Sequence, residues 1–410
     1  QVLPVLVAAC FAFGCGDKET SAPPVNPGSL RGTIRALPAG SPLPDATIVA
    51  GTANTTSAAD GTYRIDGLAA GSIEVTARAT GFVSQSRVVS IRSDDTTTRD
   101  FALSLLPATA TGQITFVADD RLWRIEPRAD APLEDLTVKL DAIARFSGVH
   151  TGPITVSTDG AWLVFRSERF DEEAAGWAAL TLAPADLSSA EALKSGGQLL
   201  HNEGLAQAGD GGTFVVYVAD GGPHTRDLWI VERAHPGWSA PRLLSADSPF
   251  AWNDHPVLAI DRVVFDAGAE PYGGDGTRVC AVRLDGTGFE ILVEPDDGPA
   301  GMEISRTVHS GALAPDGSVV FESEWGGVER VWRRRPGGVP SVIGAYSNDN
   351  SPNVLPDGYV ASLWLMAEGG EGKHHLKVMK EDGSSPIVLT IGAGISEVSD
   401  VGIGTGPPIP

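Results

Sequence analysis

Between residues 159 and 358 an aspartate turn followed by a short apolar run occurs five times, at Asp159-Gly160, Asp210-Gly211, Asp261-Arg262, Asp316-Gly317 and Asp357-Gly358. The runs are "AWLVFRSE", "TFVVYVAD", "RVVFDAG", "SVVFESE" and "YVASLWL". Each is followed, after a loop, by a second: "GWAALTLA", "DLWIVER", "RVCAVRL", "RVWRRRP" and "HLKVMKE". A unit of this kind, repeated at intervals of about fifty residues, cannot bury its apolar face alone, and stacking neighbours radially buries all of them. An earlier copy, "GQITFVADDRLWRIEP", lacks a leading strand, and the tail "GISEVSDVGIG" at 394–404 has the pattern to supply it. The expectation is a six-bladed β-propeller over 108–410, closed by the C-terminal strand so that no long sheet edge stays open. Trp123, Trp229 and Trp332 share one slot of the repeat, and Cys280 occupies it in another copy, which reads Cys280 as a packing residue.

The chain ahead of the repeat is organised differently. Residues 29–107 alternate short β-rich runs ("GTIRAL", "ATIVA", "TYRIDGL", "SIEVTARA", "SRVVSIR", "RDFALSL") with Gly, Pro and Asp turns, which predicts a small seven-stranded β-sandwich and makes the whole chain all-β. In "DGTYRIDGL" the alternation places Tyr63 and Ile65 on one face and Arg64 and Asp66 on the other. Only "PADLSSAEALKSGG" at 184–197 has a helical start and a Gly stop, and it predicts a short surface helix. The three arginines Arg333 to Arg335 read as a solvated or blade-edge group rather than an anion site. Residues 1–15 are apolar, with the length of a signal-peptide core, and 16–28 form a polar, Pro-rich tether. The net charge of -22 disfavours nucleic acids and anionic lipid surfaces as partners. No G-x-S-x-G elbow, H-E-x-x-H pair or P-loop occurs in the sequence.

These stretches carry family resemblances. Small residues precede Cys15 (Ala12-Phe13-Gly14) and Cys10 (Val7-Ala8-Ala9), which resembles the lipobox of bacterial lipoproteins. Cys15 is the preferred lipidated residue because a charged linker follows it, with Cys10 as the alternative, although Phe13 departs from the small residue usual there. The resemblance implies a lipid-anchored protein of the bacterial cell envelope, periplasmic or surface-exposed, that meets the membrane only through its anchor. "PLPDATIVAG", "ADGTYRIDGLAAGSIEVTARATGF" and "TTTRDFAL" resemble the carboxypeptidase regulatory-like domain, a transthyretin-like sandwich without catalytic activity of its own. "LAPDGSVVFESE" and "VLPDGYVASLW" are similar to repeats of TolB-like six-bladed propellers. "VHSGALAPDGSVVFESEWGGVERVW" also resembles oligogalacturonate lyases, which use histidines around a divalent cation.

The candidate site is a set of residues opening the blades. Counted back from the Asp turns, His150, His201, His255, His309 and Asn350 each begin an innermost strand, with Ser399 or Asp400 of the closing strand completing the circle. Imidazoles converging with a carboxylate at the channel mouth are suited to a divalent metal, Mn²⁺ or Zn²⁺. Two functions follow from the reading. The first is a monomeric, non-enzymatic binding or scaffold lipoprotein presenting its propeller face to an envelope protein or a glycan. The alternative is a divalent-metal-dependent polysaccharide (uronate) lyase-like enzyme that uses the histidine ring.

Overall fold

The computed structural model describes residues 26–37, 40–79, 82, 84–104, 110–129, 131–259, 261–270, 276–302, 307–343, 349–368, 371–390, 394–399 and 403–408. The chain divides into two compact units, Gln1–Leu105 and Leu106–Pro410. Cys10, Cys15 and Asp400 lie outside the described residues. No described helix is long and apolar enough to cross a membrane.

The first unit is a two-sheet sandwich. Thr47–Ala50 lies between Ala53–Thr56 and Gly71–Arg78, and Gln85–Ile91 extends that sheet. Gly28–Leu37 organises the other, pairing antiparallel with Thr62–Leu68 and with the two-residue Ser41–Pro42. Along it run Thr96–Thr98 and Phe101–Ser104 in parallel, a seventh main strand interrupted at Arg99-Asp100. Period-two alternation aims Tyr63 and Ile65 into the core with Leu30, Ile34, Ile48 and Val75, while Arg64 and Asp66 pair on the outside.

Among its described residues the second unit contains six four-stranded antiparallel sheets in chain order. The innermost strands of blades two to six are His150–Val156, Gln207–Ala208, Trp252–Ala259, Val308–Leu313 and Asp349–Val354. Blade one takes its innermost strand from the chain's end, where Gly404–Gly406 pairs with Gln113–Thr115. Val398 adds an isolated bridge to Ala118. The repeated turns are built as the sequence implies. Asp316 Oδ1 accepts the Ser318 amide at 3.0 Å and Asp357 Oδ1 the Tyr359 amide at 3.2 Å. The following Gly317 and Gly358 have φ of 81° and 86°, which a side chain would make costly.

Register places Trp123 opposite Phe116, Trp229 opposite Tyr217, Trp332 opposite Phe321 and Cys280 opposite Phe265. Cys280 is fully buried and its thiol is pushed well above the ordinary range, mainly by burial, so it is a packing residue.

A polar contact joins each blade to the next. Thr115 Oγ1 donates to Ile154 O (2.7 Å), Thr155 Oγ1 to Ala206 O, and the Leu258 amide to Gln207 Oε1 (2.6 Å). The Ser310 amide donates to Asp266 (2.8 Å), the Ser351 amide to Glu322 (2.8 Å), and Asn353 Nδ2 to Ile403 O (3.0 Å), which closes the ring. Each is buried or partly buried, where an unmade hydrogen bond costs about 1–3 kcal/mol, so blade order is enforced by satisfaction as well as by apolar packing.

One sequence expectation changes. The segment 184–197 is not a helix: Asp186 Oδ1 accepts the Ser188 amide at 2.9 Å and turns the chain, and short strands Glu191–Ala192, Lys194–Ser195 and Gln198–Leu199 follow. Among the described residues the α-helix is Leu136–Ile143, capped by Asp135 on the Val138 amide and seated through Leu136 and Leu140. Of the two placements expected for the arginines, Arg333 takes the blade-edge one. It is 4% exposed and joins Asp316 (2.7 Å) to Glu381 (2.9 Å) of the next blade.

Candidate functional site

The innermost strands of blades two, four, five and six each carry a bulge near their start. Thr151, Asp254, His309 and Asn350 are register equivalents, facing Arg166, Asp266, Glu322 and Leu363. Between these positions and the next paired residue, blades four to six use one residue more than their partner strand and blade two uses two more. The bulges contain Gly152, His255, Ser310 and Ser351, all in the left-handed region with φ of 74°, 50°, 53° and 46°. Such a conformation is rarely adopted by non-glycine residues and persists where surroundings impose it. Asp266 supplies that constraint in blade five by accepting the Ser310 and Gly311 amides, and Glu322 does the same for Ser351 in blade six.

This geometry overturns the four-histidine ring. Counting from the Asp turn assumes strands of constant length, and the bulges break that assumption. Only His309 and Asn350 share a register position. His255 sits in the bulge itself, and His150 is one residue earlier than the equivalent Thr151, facing Ser167. The His150 imidazole is buried between Phe165 and Phe170, with Nε2 3.0 Å from Asp141 and Nδ1 2.8 Å from Ser167 Oγ. His201 is exposed and stacks on Trp177. Neither lines the channel mouth.

The mouth is a cavity of about 430 Å³ at the N-terminal ends of the inner strands, lined by His255, His309 and Asn350. Its charged lining, which the sequence reading did not single out, is Glu203, Asp254, Glu322, Glu329, Arg166 and Arg226. Arg226 pairs with Asp254 at 2.6 Å and Arg166 donates to Asn202 O at 3.1 Å, so both cations are engaged. Asn350 is 3.2 Å from His374 Nε2. Behind the wall, fully buried Asp266 lies 3.6 Å from His255, and burial pushes its carboxyl up to about 7 against the lowering effect of His255 and the two amides.

His309, Glu322 and Glu329 converge, their ligand atoms all within 4.8 Å of one another. His309 Nε2 is 3.5 Å from Glu322 Oε1, too far for a good hydrogen bond. Burial pushes His309 down to about 3, helped by His255, and holds Glu322 well above the carboxylate range, reinforced by Glu329. The His309 imidazole is therefore neutral at neutral pH. A neutral imidazole beside two carboxyl groups is a donor set for a divalent cation. One sequence signal was available for Glu322, an acidic residue on the apolar run "SVVFES", where alternation and burial conflict.

A second, larger recess of about 1100 Å³ opens at the C-terminal ends of the same strands. Every blade contributes to its wall: Val156, Gln207, Leu258, Leu313, Val354 and Thr405 among them.

With this geometry in hand, the likenesses to known proteins can be placed. Residues 29–104 match the model of the carboxypeptidase regulatory-like domain. Comparison with curated proteins gives no match. The chain is similar in structure to TolB from Acinetobacter baumannii, with a TM-score of 0.51 and 12% identity over 82% of this chain and 80% of that one. It is also similar to a putative TolB from Agrobacterium tumefaciens (TM-score 0.46, 16% identity, 69% of this chain and 89% of that one). An oligogalacturonate lyase from Vibrio parahaemolyticus gives a TM-score of 0.40 at 14% identity over 66% and 70%. The first likeness supports the fold alone, and the other two are too distant to carry an argument. The class is thus an all-β, two-unit protein, a carboxypeptidase regulatory-like sandwich followed by a TolB-like propeller.

Proposed function

We propose that this protein is a non-enzymatic binding module of the bacterial envelope, anchored through a lipid on Cys15 (alternatively Cys10), whose propeller receives an extended segment of a partner protein. The observation that carries the reading is the recess of about 1100 Å³ to which all six blades contribute strand ends. Its wall is dominated by apolar side chains such as Val257, Leu258, Leu313 and Val354, with strand-end backbone beside them. A protein segment fits this chemistry better than a glycan, because sugar rings favour aromatic platforms and Phe214 is the only aromatic residue among the described lining.

The uronate-lyase reading is not adopted. Elimination needs a base placed beside the cation, and no observation distinguishes one of the mouth's remaining acid–base groups, Glu203, Glu329 and His255, in that role.

Selection of peptides from a random display library on the full chain tests the proposal. Selected peptides are expected to bind at micromolar affinity and to lose tenfold or more against Leu313→Arg and Leu258→Glu. Binding unchanged in both variants, or selective binding of oligosaccharides instead, would overturn it.

A further inference from the structure

We infer that blade five carries a site for a first-row divalent cation, Zn²⁺ or Mn²⁺, at the channel mouth, ligated by His309 Nε2 and the carboxylates of Glu322 and Glu329. The site is independent of the peptide recess, which lies at the other end of the inner strands.

All three donors come from one blade, two from adjacent strands in direct register and one, Glu329, from the loop just before the third strand, Arg330–Arg334. The three donors are therefore carried by one blade, with Asp266 of the preceding blade fixing the bulge beside His309. The 3.5 Å between His309 Nε2 and Glu322 Oε1 is close to the separation, about 3.3–3.4 Å, of two ligands each about 2.0–2.1 Å from one tetrahedral ion. Glu329, only partly buried, must close in by about 1 Å to complete the set, which a loop-end side chain can do.

Two further observations point to a cation. Glu322 is 2% exposed and aims one oxygen at His309 and Glu329, with its other oxygen occupied by the Ser351 amide. Burying one carboxylate against another is unfavourable unless a proton or a metal stands between them. Among the described lining residues, Arg226 is committed to Asp254 and Arg166 donates to a backbone carbonyl, and neither forms an ion pair with Glu322 or Glu329. Secondly, the imidazole is oriented as ligating histidines are: Nδ1 lies 3.2 Å from Ser310 Oγ, leaving Nε2 to face the carboxylates. Ser310 is in turn fixed in its left-handed bulge by Asp266. A nitrogen in the donor set selects against Ca²⁺ and Mg²⁺, which take oxygen ligands, and the remaining coordination positions face the cavity.

The test is titration of the chelator-treated full chain with Zn²⁺ by calorimetry and with Mn²⁺ by loss of the free-ion electron paramagnetic resonance signal. One equivalent is expected to bind. Glu329→Gln and His309→Asn should each weaken it tenfold or more, while His255→Asn, in the same cavity, should change it less than threefold. Glu322→Gln is a poor probe because that carboxylate also holds Ser351, and Glu329→Gln serves if His309→Asn fails to fold. Absence of saturable binding, affinity unchanged in Glu329→Gln, or equal loss in His255→Asn would overturn the assignment.

Discussion

His150 shows how one residue type takes different roles within this repeat. Its ring is enclosed by Phe165 and Phe170, and burial lowers its pKa from the ordinary 6.5, outweighing the raising effect of Asp141. With the native pKa below the unfolded value, the unfolded chain takes up the proton first. The stability contributed by neutral His150 is therefore complete above about pH 6.5 and is lost as the pH falls through and below it. Urea midpoints measured from about pH 7 to about pH 5 should fall more steeply in the wild type than in His150→Gln, and equal slopes would refute this account. His309 is also neutral through burial, yet it faces two carboxyl groups at a cavity wall rather than two phenylalanines. Sequence spacing made the two equivalent. Their surroundings come from residues far along the chain, and those surroundings assign the roles.

At the scale of elements, the strands and Asp turns were legible because alternation and turn chemistry are local. Cys280 in the tryptophan slot was equally legible, since each copy of the repeat fills the same volume. The bulges were not, because Gly152, His255, Ser310 and Ser351 have no common type and their left-handed backbone is held by carboxylates or packing from the neighbouring blade. The helix Leu136–Ile143 was missed for a related reason, being an eight-residue element held by its cap and by Leu136 and Leu140 more than by propensity. The closing strand was foreseen within 394–404 and pairs at 404–406, with Val398 bridging upstream. Its fit is tight: a Cβ on Gly404 would lie 2.4 Å from Thr115 Oγ1 and 2.6 Å from Ile154 O. Gly404→Ala should therefore push the strand off blade one, destabilise the propeller by about 1–3 kcal/mol and expose the 113–115 edge. Denaturation midpoints and light scattering check both effects, and a wild-type midpoint without added scattering would show that the strand does not close the ring.

For the whole molecule, the proposed architecture is anchor, tether, sandwich and propeller. The anchor rests on the residues before Cys15 and Cys10. When the natural gene is expressed in a lipoprotein-processing bacterium, the protein should label with palmitate and partition into detergent; Cys15→Ser should abolish both, and retention in that variant with loss in Cys10→Ser would move the anchor upstream. By itself the sequence determined the class: all-β, two kinds of unit, and a radial repeat completed from the chain's end, because periodicity and turn residues act over a few positions. The tertiary structure decided which side chains meet. Bulges broke the constant-length count back from the Asp turns, His150 and His201 lie away from the mouth, and cross-strand register set Glu322 beside His309, with Glu329 joining from the loop before the third strand. That convergence depends on cross-strand pairing and burial, quantities that spacing along a chain does not contain.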